Sequence, residues 1–268
     1  MSKIAYLGPS ASFTHQAALD YFGDDEQYIP QKSIAAVFDA LDNGETDYAV
    51  VPVENSTEGI VTVTFDLCSE KDVFIQAEKY LQIHQNFLLA KETETVTEIY
   101  SHPQALAQCR MWLEKNYPGV QTIETSSTSK AAQKAVETGQ AAIAGRLAAE
   151  QYGLNMANEK IEDMKGNTTR FLILSQEMTI ASDATKTSLM FALQDKVGAL
   201  YDALLPFKEH EINLSMIQSR PSKIAQWEYI FFVDFLGSAE CPNIKQAMDQ
   251  LEKNCKVFKI MGSYKTYL

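Results

Sequence analysis

The chain has 268 residues, enough for more than one compact lobe, and its 46% hydrophobic and 22% charged residues are typical of soluble globular proteins. With 23 basic against 35 acidic side chains the formal net charge is −12, which excludes a surface that attracts nucleic acid or an anionic membrane. No apolar run approaches the roughly 20 residues of a membrane span and the start lacks a signal peptide, so we expect a cytoplasmic protein.

Short apolar runs alternate with amphipathic stretches through the first two thirds of the chain, as in α/β proteins with a largely parallel sheet. Strands are predicted at 3–7, 48–53, 120–124, 141–144 and 168–174, with 73–90 strand-like almost throughout. Helices are predicted at 13–22, 33–42, 104–114 and 129–137. We therefore expect two lobes in residues 1–178, one of about 1–80 with 166–178 and one of 81–165.

A polar stretch at 177–186 predicts a linker, and nearly all of the excess negative charge lies before it. The C-terminal part, 186–268, reads as strand, helix, strand, strand, helix, strand, at 188–193, 198–208, 212–218, 227–235, 242–254 and 256–264. This βαββαβ order predicts a ferredoxin-like module.

Four polar clusters lie where predicted strands give way to loops or helices: 8–15, 52–59, 101–104 and 125–129. In an α/β fold this is the ligand edge, where hydroxyls and backbone N–H groups at helix N-termini bind carboxylates or phosphates. A single cluster is better explained as a helix cap with a turn. Four together favour an anion site.

Thr168-Thr169-Arg170-Phe171 forms a fifth cluster, in which strand alternation sends Thr169 and Arg170 to opposite faces. Arg170 is either a carboxylate ligand or a structural ion-pair partner. Among the histidines, His102 opens a helix where a titrating group would be useful, whereas His84 and His210 have no polar neighbours and are expected to pack or lie on the surface.

The motifs of several enzyme classes are missing. Cys68, Cys109, Cys241 and Cys255 form no C-x-x-C pair, so we expect reduced thiols rather than a zinc site or disulfides. No H-E-x-x-H, Walker loop or G-x-G-x-x-G is found, and we expect neither a metal nor a cofactor. The residues alone predict a two-lobed enzyme or binding protein for a small anion.

At these clusters the sequence resembles the prephenate dehydratase family. The resemblance rests on Gly8-Pro9, on the segments 12–18, 51–59 and 101–106, and on Thr169-Arg170-Phe171, in the family's order. It implies a periplasmic-binding-protein-like catalytic domain with the active site in a cleft, and the conversion of prephenate to phenylpyruvate, water and carbon dioxide without a cofactor. Arogenate dehydratase is the alternative activity, and a non-catalytic amino-acid sensor is the alternative class, against which the intact Thr169 argues.

The same resemblance marks Thr169 as the catalytic residue. Its hydroxyl is expected to donate a hydrogen bond to the departing oxygen, with Ser56, Glu54 or water as candidates for returning the proton. Substrate-binding residues are then expected at Ser12, Thr14, Asn55, Ser101, His102, Gln104, Ser127, Thr128, Thr168, Arg170 and Phe171. Ala11 stands where the family usually has glycine, and it restricts the loop if a positive φ is required there.

The C-terminal module resembles an ACT domain, which implies feedback by L-phenylalanine and assembly into a homodimer or homotetramer. The matching segments are Gly198-Ala199-Leu200 and Ser219-Arg220-Pro221, with Gln218 in place of the family's glutamate. The effector-binding residues expected on this basis are Gly198, Ala199, Leu200, Asn213, Leu214, Gln218, Ser219, Arg220 and Pro221.

Overall fold

The computed structural model describes residues 1–222 and 229–267. Two compact units form, unit 1 from Met1–Val37, Val50–Ile60 and Tyr80–Phe171, and unit 2 from Phe38–Ala49, Val61–Lys79 and the chain from Leu172 onward. No helix in the described part of the chain is long and apolar enough to cross a membrane.

The secondary-structure elements are numbered in chain order. The strands are β1 (Lys3–Leu7), β2 (Gln27–Gln31), β3 (Tyr48–Asn55), β4 (Gly59–Ile60), β5 (Phe74–Gln82), β6 (Asn86–Leu89), β7 (Glu98–Ser101), β8 (Gln121–Glu124), β9 (Ala141–Ala144), β10 (Asn155–Asn158), β11 (Thr168–Ser175), β12 (Lys186–Leu193), β13 (Leu214–Pro221), β14 (Tyr229–Leu236), β15 (Cys255–Tyr264) and β16 (Thr266–Tyr267). The helices are α1 (Phe13–Phe22), α2 (Ile34–Asp42), α3 (Thr62–Glu70), α4 (Pro103–Gln108), α5 (Arg110–Asn116), α6 (Thr128–Thr138), α7 (Arg146–Tyr152), α8 (Ala199–Glu209) and α9 (Pro242–Glu252).

Unit 1 contains strands of two sheets. In one, β11, β3, β1 and β2 are neighbours in that order, with β1 and β2 parallel and β4 antiparallel to β3. The other has the order β10-β6-β9-β7-β8, in which β7 runs parallel to β8 and β9. The chain passes between the two sheets twice, before β6 and again before β11. The predicted α/β class is confirmed.

Local sequence signals explain several elements of unit 1. The Ser12 hydroxyl accepts a hydrogen bond from the backbone N–H of His15, so α1 begins where it was predicted. Small residues let α6 approach β9 closely, because Ala131, Ala132 and Ala135 are fully buried in one cluster with the alanines of that strand.

Three predictions about the first two thirds of the chain need correction. β2 was missed because it contains Pro30, which cannot donate to a neighbouring strand and is tolerated here at the end of the strand order. The helix predicted at 104–114 is two helices separated at Cys109, whose φ of −112° and ψ of 16° depart from helical geometry. The strand-like stretch 73–90 is two strands, β5 and β6, with three residues between them.

Unit 2 contains the predicted βαββαβ sequence of elements. Its four-stranded antiparallel sheet has the order β13-β14-β12-β15, the ferredoxin-like arrangement, and α8 and α9 contribute Phe207 and Leu251 to its core beside Phe191 and Phe235. The predicted start of β14 at Trp227 lies outside the described residues.

A buried ion pair joins two strands of unit 2. Lys186 Nζ lies 2.5 Å from Glu78 Oε1, and the Glu78 side chain is 0% exposed. The Thr266 hydroxyl also donates to Glu78 Oε1, at 2.6 Å. Both charges are thus compensated where water is excluded, and removing either partner would leave a buried charge.

The four cysteines are free thiols. Cys68 is buried, and burial raises its pKa to about 12. No cluster of three or more potential metal-ligating side chains is found within residues 1–222 and 229–267.

We predict that Gly262→Ala destabilises the protein severely, because a Cβ at this position in β15 would lie 2.1 Å from the backbone oxygen of Ile75. The expected loss in the free energy of unfolding is about 3 kcal/mol. Gly44→Ala is the control, since Gly44 has a φ of +70° with open space around it and should lose only about 1 kcal/mol. Equal losses in urea denaturation would contradict the steric argument.

We also predict a pH dependence of stability from His15. Its Nδ1 accepts the backbone N–H of Ala11 at 3.1 Å, its ring stacks on Tyr6, and burial lowers its pKa below the ordinary 6.5. As the pH falls below about 6.5, the unfolded chain therefore binds more protons than the folded chain, and the free energy of unfolding decreases. His15→Phe should lose less stability between pH 7 and pH 5 than the native chain; an identical loss would contradict the role of His15.

Candidate active site

A cavity of about 810 Å³ lies within unit 1, and every residue lining it belongs to that unit. Nine of the residues expected at the substrate site line it: Ser12, Thr14, Asn55, His102, Gln104, Ser127, Thr128, Thr169 and Phe171. They follow the ends of four strands, β1, β3, β7 and β8, or lie on β11. The polar clusters of the sequence thus meet at one cavity.

Two helices of ten or more residues begin at the cavity. Ser12 caps α1, and Ser127 caps α6 by accepting the backbone N–H of Lys130 at 3.0 Å. The exposed N–H groups and the partial positive charge at such helix ends favour anions.

The loop before α1 has a positive φ at Ala11, the position where the family usually has glycine. Ala11 has a φ of 60°, a region that an alanine occupies at a cost and a glycine does not. Its N–H is held by His15 Nδ1, and its methyl group is buried among the small residues of α6 and β9. The packing compensates for the backbone strain.

Thr169 is buried and held by Asn55. Asn55 Nδ2 donates to Thr169 Oγ1 at 2.8 Å and to Asn167 Oδ1 at 2.7 Å. Asn55 Oδ1 in turn accepts the N–H and hydroxyl of Thr57 and the N–H of Glu58, which fixes the orientation of the amide. The Thr169 oxygen is therefore an acceptor toward Asn55, and its O–H proton is free to be donated elsewhere.

Strand alternation divides the fifth cluster. Thr169 and Phe171 line the cavity, whereas Thr168 and Arg170 do not. Arg170 is nevertheless only 4% exposed and has interaction partners in the fold.

Three other expected residues also lie outside the cavity lining. The Ser56 hydroxyl accepts the backbone N–H of Thr168 at 2.9 Å, Glu54 lies in β3 opposite Ile60, and the fully buried Ser101 hydroxyl donates to the carbonyl of Ile143 at 2.7 Å. Ser56 and Ser101 thus hold backbone segments that carry lining residues.

His102 lines the cavity as the cap of α4. Its Nδ1 accepts a hydrogen bond from the backbone N–H of Gln104 at 3.4 Å, which leaves Nε2 as the nitrogen available to a ligand.

His84 was expected to have no polar neighbours, and this was wrong. Its Nδ1 lies 2.8 Å from Glu162 Oε1, and Glu162 comes from a segment distant in sequence. His210 also has a polar neighbour, Gln250.

Several lining residues were missed by the sequence analysis, among them Gln31, Lys32, Gln85, Gln108 and Lys130. Gln31 and Lys32 follow the unpredicted strand β2, so recognising that strand would have found them. Gln85 is 4% exposed and its Nε2 donates to Gln108 Oε1 at 3.4 Å, but it lies between strands in a stretch that reads as continuous.

The side chains that line the cavity carry positive charge, whereas the chain as a whole is negatively charged. Its lining contains Lys32 and Lys130 but no aspartate or glutamate among the described residues, although the chain carries 35 acidic side chains. Such a cavity favours an anionic ligand.

Unit 2 has a smaller cavity of about 340 Å³. Three of the expected effector residues, Gly198, Ala199 and Leu200, line it. The remaining six lie outside its lining within this chain: Asn213, Leu214, Gln218, Ser219, Arg220 and Pro221. Arg220 instead forms a two-point ion pair with Asp66, at 2.8 and 3.1 Å.

Comparison with known proteins agrees with the geometry. The family model for prephenate dehydratase matches residues 4–179. The bifunctional chorismate mutase/prephenate dehydratase of Aquifex aeolicus is 46% identical over 98% of this chain and 73% of its own length. The prephenate dehydratase of Bacillus subtilis is 36% identical over 99% of both chains.

A solved structure of prephenate dehydratase from Arthrobacter aurescens, in complex with L-Phe, superimposes with a TM-score of 0.89 at 32% identity, covering 98% of this chain and 89% of that one. Sequence and fold agree over nearly the whole length of the chain. The chain belongs to the prephenate dehydratase family.

Proposed function

We propose that the cavity of unit 1 binds prephenate and that Thr169 promotes its decarboxylating dehydration. In this reaction the bond between the ring and its carboxylate breaks, its electron pair enters the ring, and the bond between the ring and its hydroxyl oxygen breaks on the opposite side. The products are phenylpyruvate, carbon dioxide and hydroxide, which gains a proton to become water. Aromatisation makes the reaction strongly downhill, so the protein's task is to assist the departing oxygen.

The hydrogen bond from Asn55 to Thr169 carries this proposal. Because Thr169 Oγ1 accepts the Asn55 amide, its own proton is directed away from Asn55 and is available to the departing oxygen. The bond also stabilises negative charge on Oγ1 as that proton moves. Asn55 thus acts as a positioning residue.

The proton must then be returned to Thr169. Ser56 and Glu54 were the protein candidates, but Asn55 is the side chain that hydrogen-bonds the Thr169 hydroxyl in the described part of the chain. Ser56 instead holds the backbone at Thr168. We therefore favour a water molecule in the cavity as the proton relay.

The other lining groups orient the substrate. Ser12, Thr14, Ser127 and Thr128 lie at the first turns of α1 and α6, where hydroxyls and backbone N–H groups suit carboxylates. Gln104 and His102 supply hydrogen bonds from α4, and Phe171 offers an apolar surface to the ring. Arg170 braces β11 from outside the cavity, because its position on the strand is opposite to that of Thr169.

We place regulation in unit 2, as an ACT-like module that binds L-phenylalanine between subunits of a homodimer or homotetramer. The cavity at Gly198, Ala199 and Leu200 would receive the ligand. A second chain would supply residues from β13, which is the last strand of its sheet and exposes alternate side chains. The four free thiols suit a reducing cytoplasm.

The direct test of the proposed function is an assay of the purified chain on prephenate and on arogenate, with and without phenylalanine. We expect turnover of prephenate that phenylalanine inhibits. Turnover of arogenate alone would assign the alternative activity, and turnover of neither with tight binding of phenylalanine would indicate a sensor.

We predict that Thr169→Ala lowers kcat for prephenate by at least about 100-fold while KM stays within a few-fold, because the lost hydrogen bond matters mainly in the transition state. Thr169→Ser, which keeps a hydroxyl, should retain a larger part of kcat. Thr138→Ala, at an exposed position on α6, is the control. A kcat of Thr169→Ala equal to that of the native chain would refute the role of the hydroxyl.

We predict that Gln218→Glu tightens phenylalanine binding about fivefold. A carboxylate accepts a hydrogen bond from the ligand's ammonium group more strongly than a neutral amide, by about 1 kcal/mol. Calorimetry on the purified oligomer measures the change, with Gln246→Glu on the exposed face of α9 as the control for added charge. Equal affinities of native and Gln218→Glu chains would show that this position does not contact the ammonium.

A further inference from the structure

We propose that Lys32 and Lys130 are the two counter-charges of the cavity, each binding one of the two carboxylates of the substrate. This inference rests on the proposed function. It assigns charge recognition to two lysines that no sequence motif marked, and not to Arg170.

The charge distribution around the cavity is the first argument. The lining has two cationic side chains and no carboxylate in the described residues, in a chain of net charge −12. Prephenate has two carboxylates and no cationic group. The number and sign of the charges match.

The positions of the lysines are the second argument. Lys32 follows β2, on the side of the first sheet, and Lys130 lies in the first turn of α6, on the side of the second. Two separate elements can therefore reach the two ends of one ligand.

Among the described residues, neither lysine forms a hydrogen bond or ion pair with a carboxylate of the protein, although Lys130 lies near enough to Glu137 to act on its charge. No hydrogen bond or ion pair joins Lys32 to another residue of the described chain, and Lys130 Nζ contacts the neutral Gln133 amide oxygen at 2.9 Å. One turn further along α6, Lys134 is paired with Glu137 at 2.6 Å. Lys130 thus differs from its neighbour in having a charge available to a ligand.

Arg170 is the competing candidate. It lies outside the lining and is 4% exposed, so a substrate carboxylate in the cavity does not reach it without displacement of β11. A buried guanidinium with partners of its own contributes to the strand's position instead.

The test is steady-state kinetics with prephenate on Lys32→Gln, Lys130→Gln and the double variant. We expect each single variant to raise KM about tenfold with little change in kcat, because the contacts exist in both ground and transition states. The double variant should show the product of the two factors, as expected for separate carboxylates. Arginine at either position should restore most of the affinity, and Lys115→Gln and Lys134→Gln should leave KM unchanged.

Inhibition by the product shows which lysine binds which carboxylate. Phenylpyruvate has lost the ring carboxylate and keeps the side-chain carboxylate, so one lysine variant should raise its inhibition constant and the other should not. The assignment would be overturned by an unchanged KM in both single variants, or by a double variant whose KM is no higher than that of either single variant. Turnover of prephenate by the native chain would in that case leave the proposed function intact. A native chain inactive on prephenate would instead overturn the proposed function.

Discussion

The exclusion of carboxylates from one cavity of a strongly acidic chain is the constraint on which the account of this protein depends. A net charge of −12 opposes the approach of a doubly negative ligand to an ordinary part of the surface. Unit 1 overcomes this opposition locally, because the polar part of the lining consists of hydroxyls, amides, His102, two lysines and the first turns of α1 and α6. The other elements of unit 1 position the strand ends around this cavity.

In such a cavity the reaction requires few ionisable side chains. A carboxylic acid beside a dianion would suffer repulsion whenever it lost its proton, whereas a threonine hydroxyl held by an amide carries no charge before the reaction. The Asn55 amide is itself fixed by Thr57 and Glu58 backbone donors, so the orientation of Thr169 is built in by the fold. Glu54 and Ser56, on either side of Asn55 in the sequence, lie outside the lining: Glu54 is paired with Ile60 of β4, and Ser56 holds the backbone at Thr168.

Much of this could be predicted from the sequence because local signals were strong. The bounds of β1, α1 and β9 were predicted as found, and alternation correctly separated Thr169 from Arg170. Lys32 and Lys130 could not be predicted, since one follows a strand disguised by Pro30 and the other resembles any exposed helical lysine. The hydrogen bond of Ser101 to Ile143 was equally invisible, because it joins strands distant in the chain.

A crystal structure of prephenate bound to the Thr169→Ala chain tests the central claim most directly. The account predicts the substrate's ring hydroxyl beside residue 169 in the cavity of unit 1, with one carboxylate within hydrogen-bond distance of Lys32 Nζ and the other of Lys130 Nζ. Substrate bound with its carboxylates on Arg170, or with its hydroxyl remote from residue 169, would contradict it.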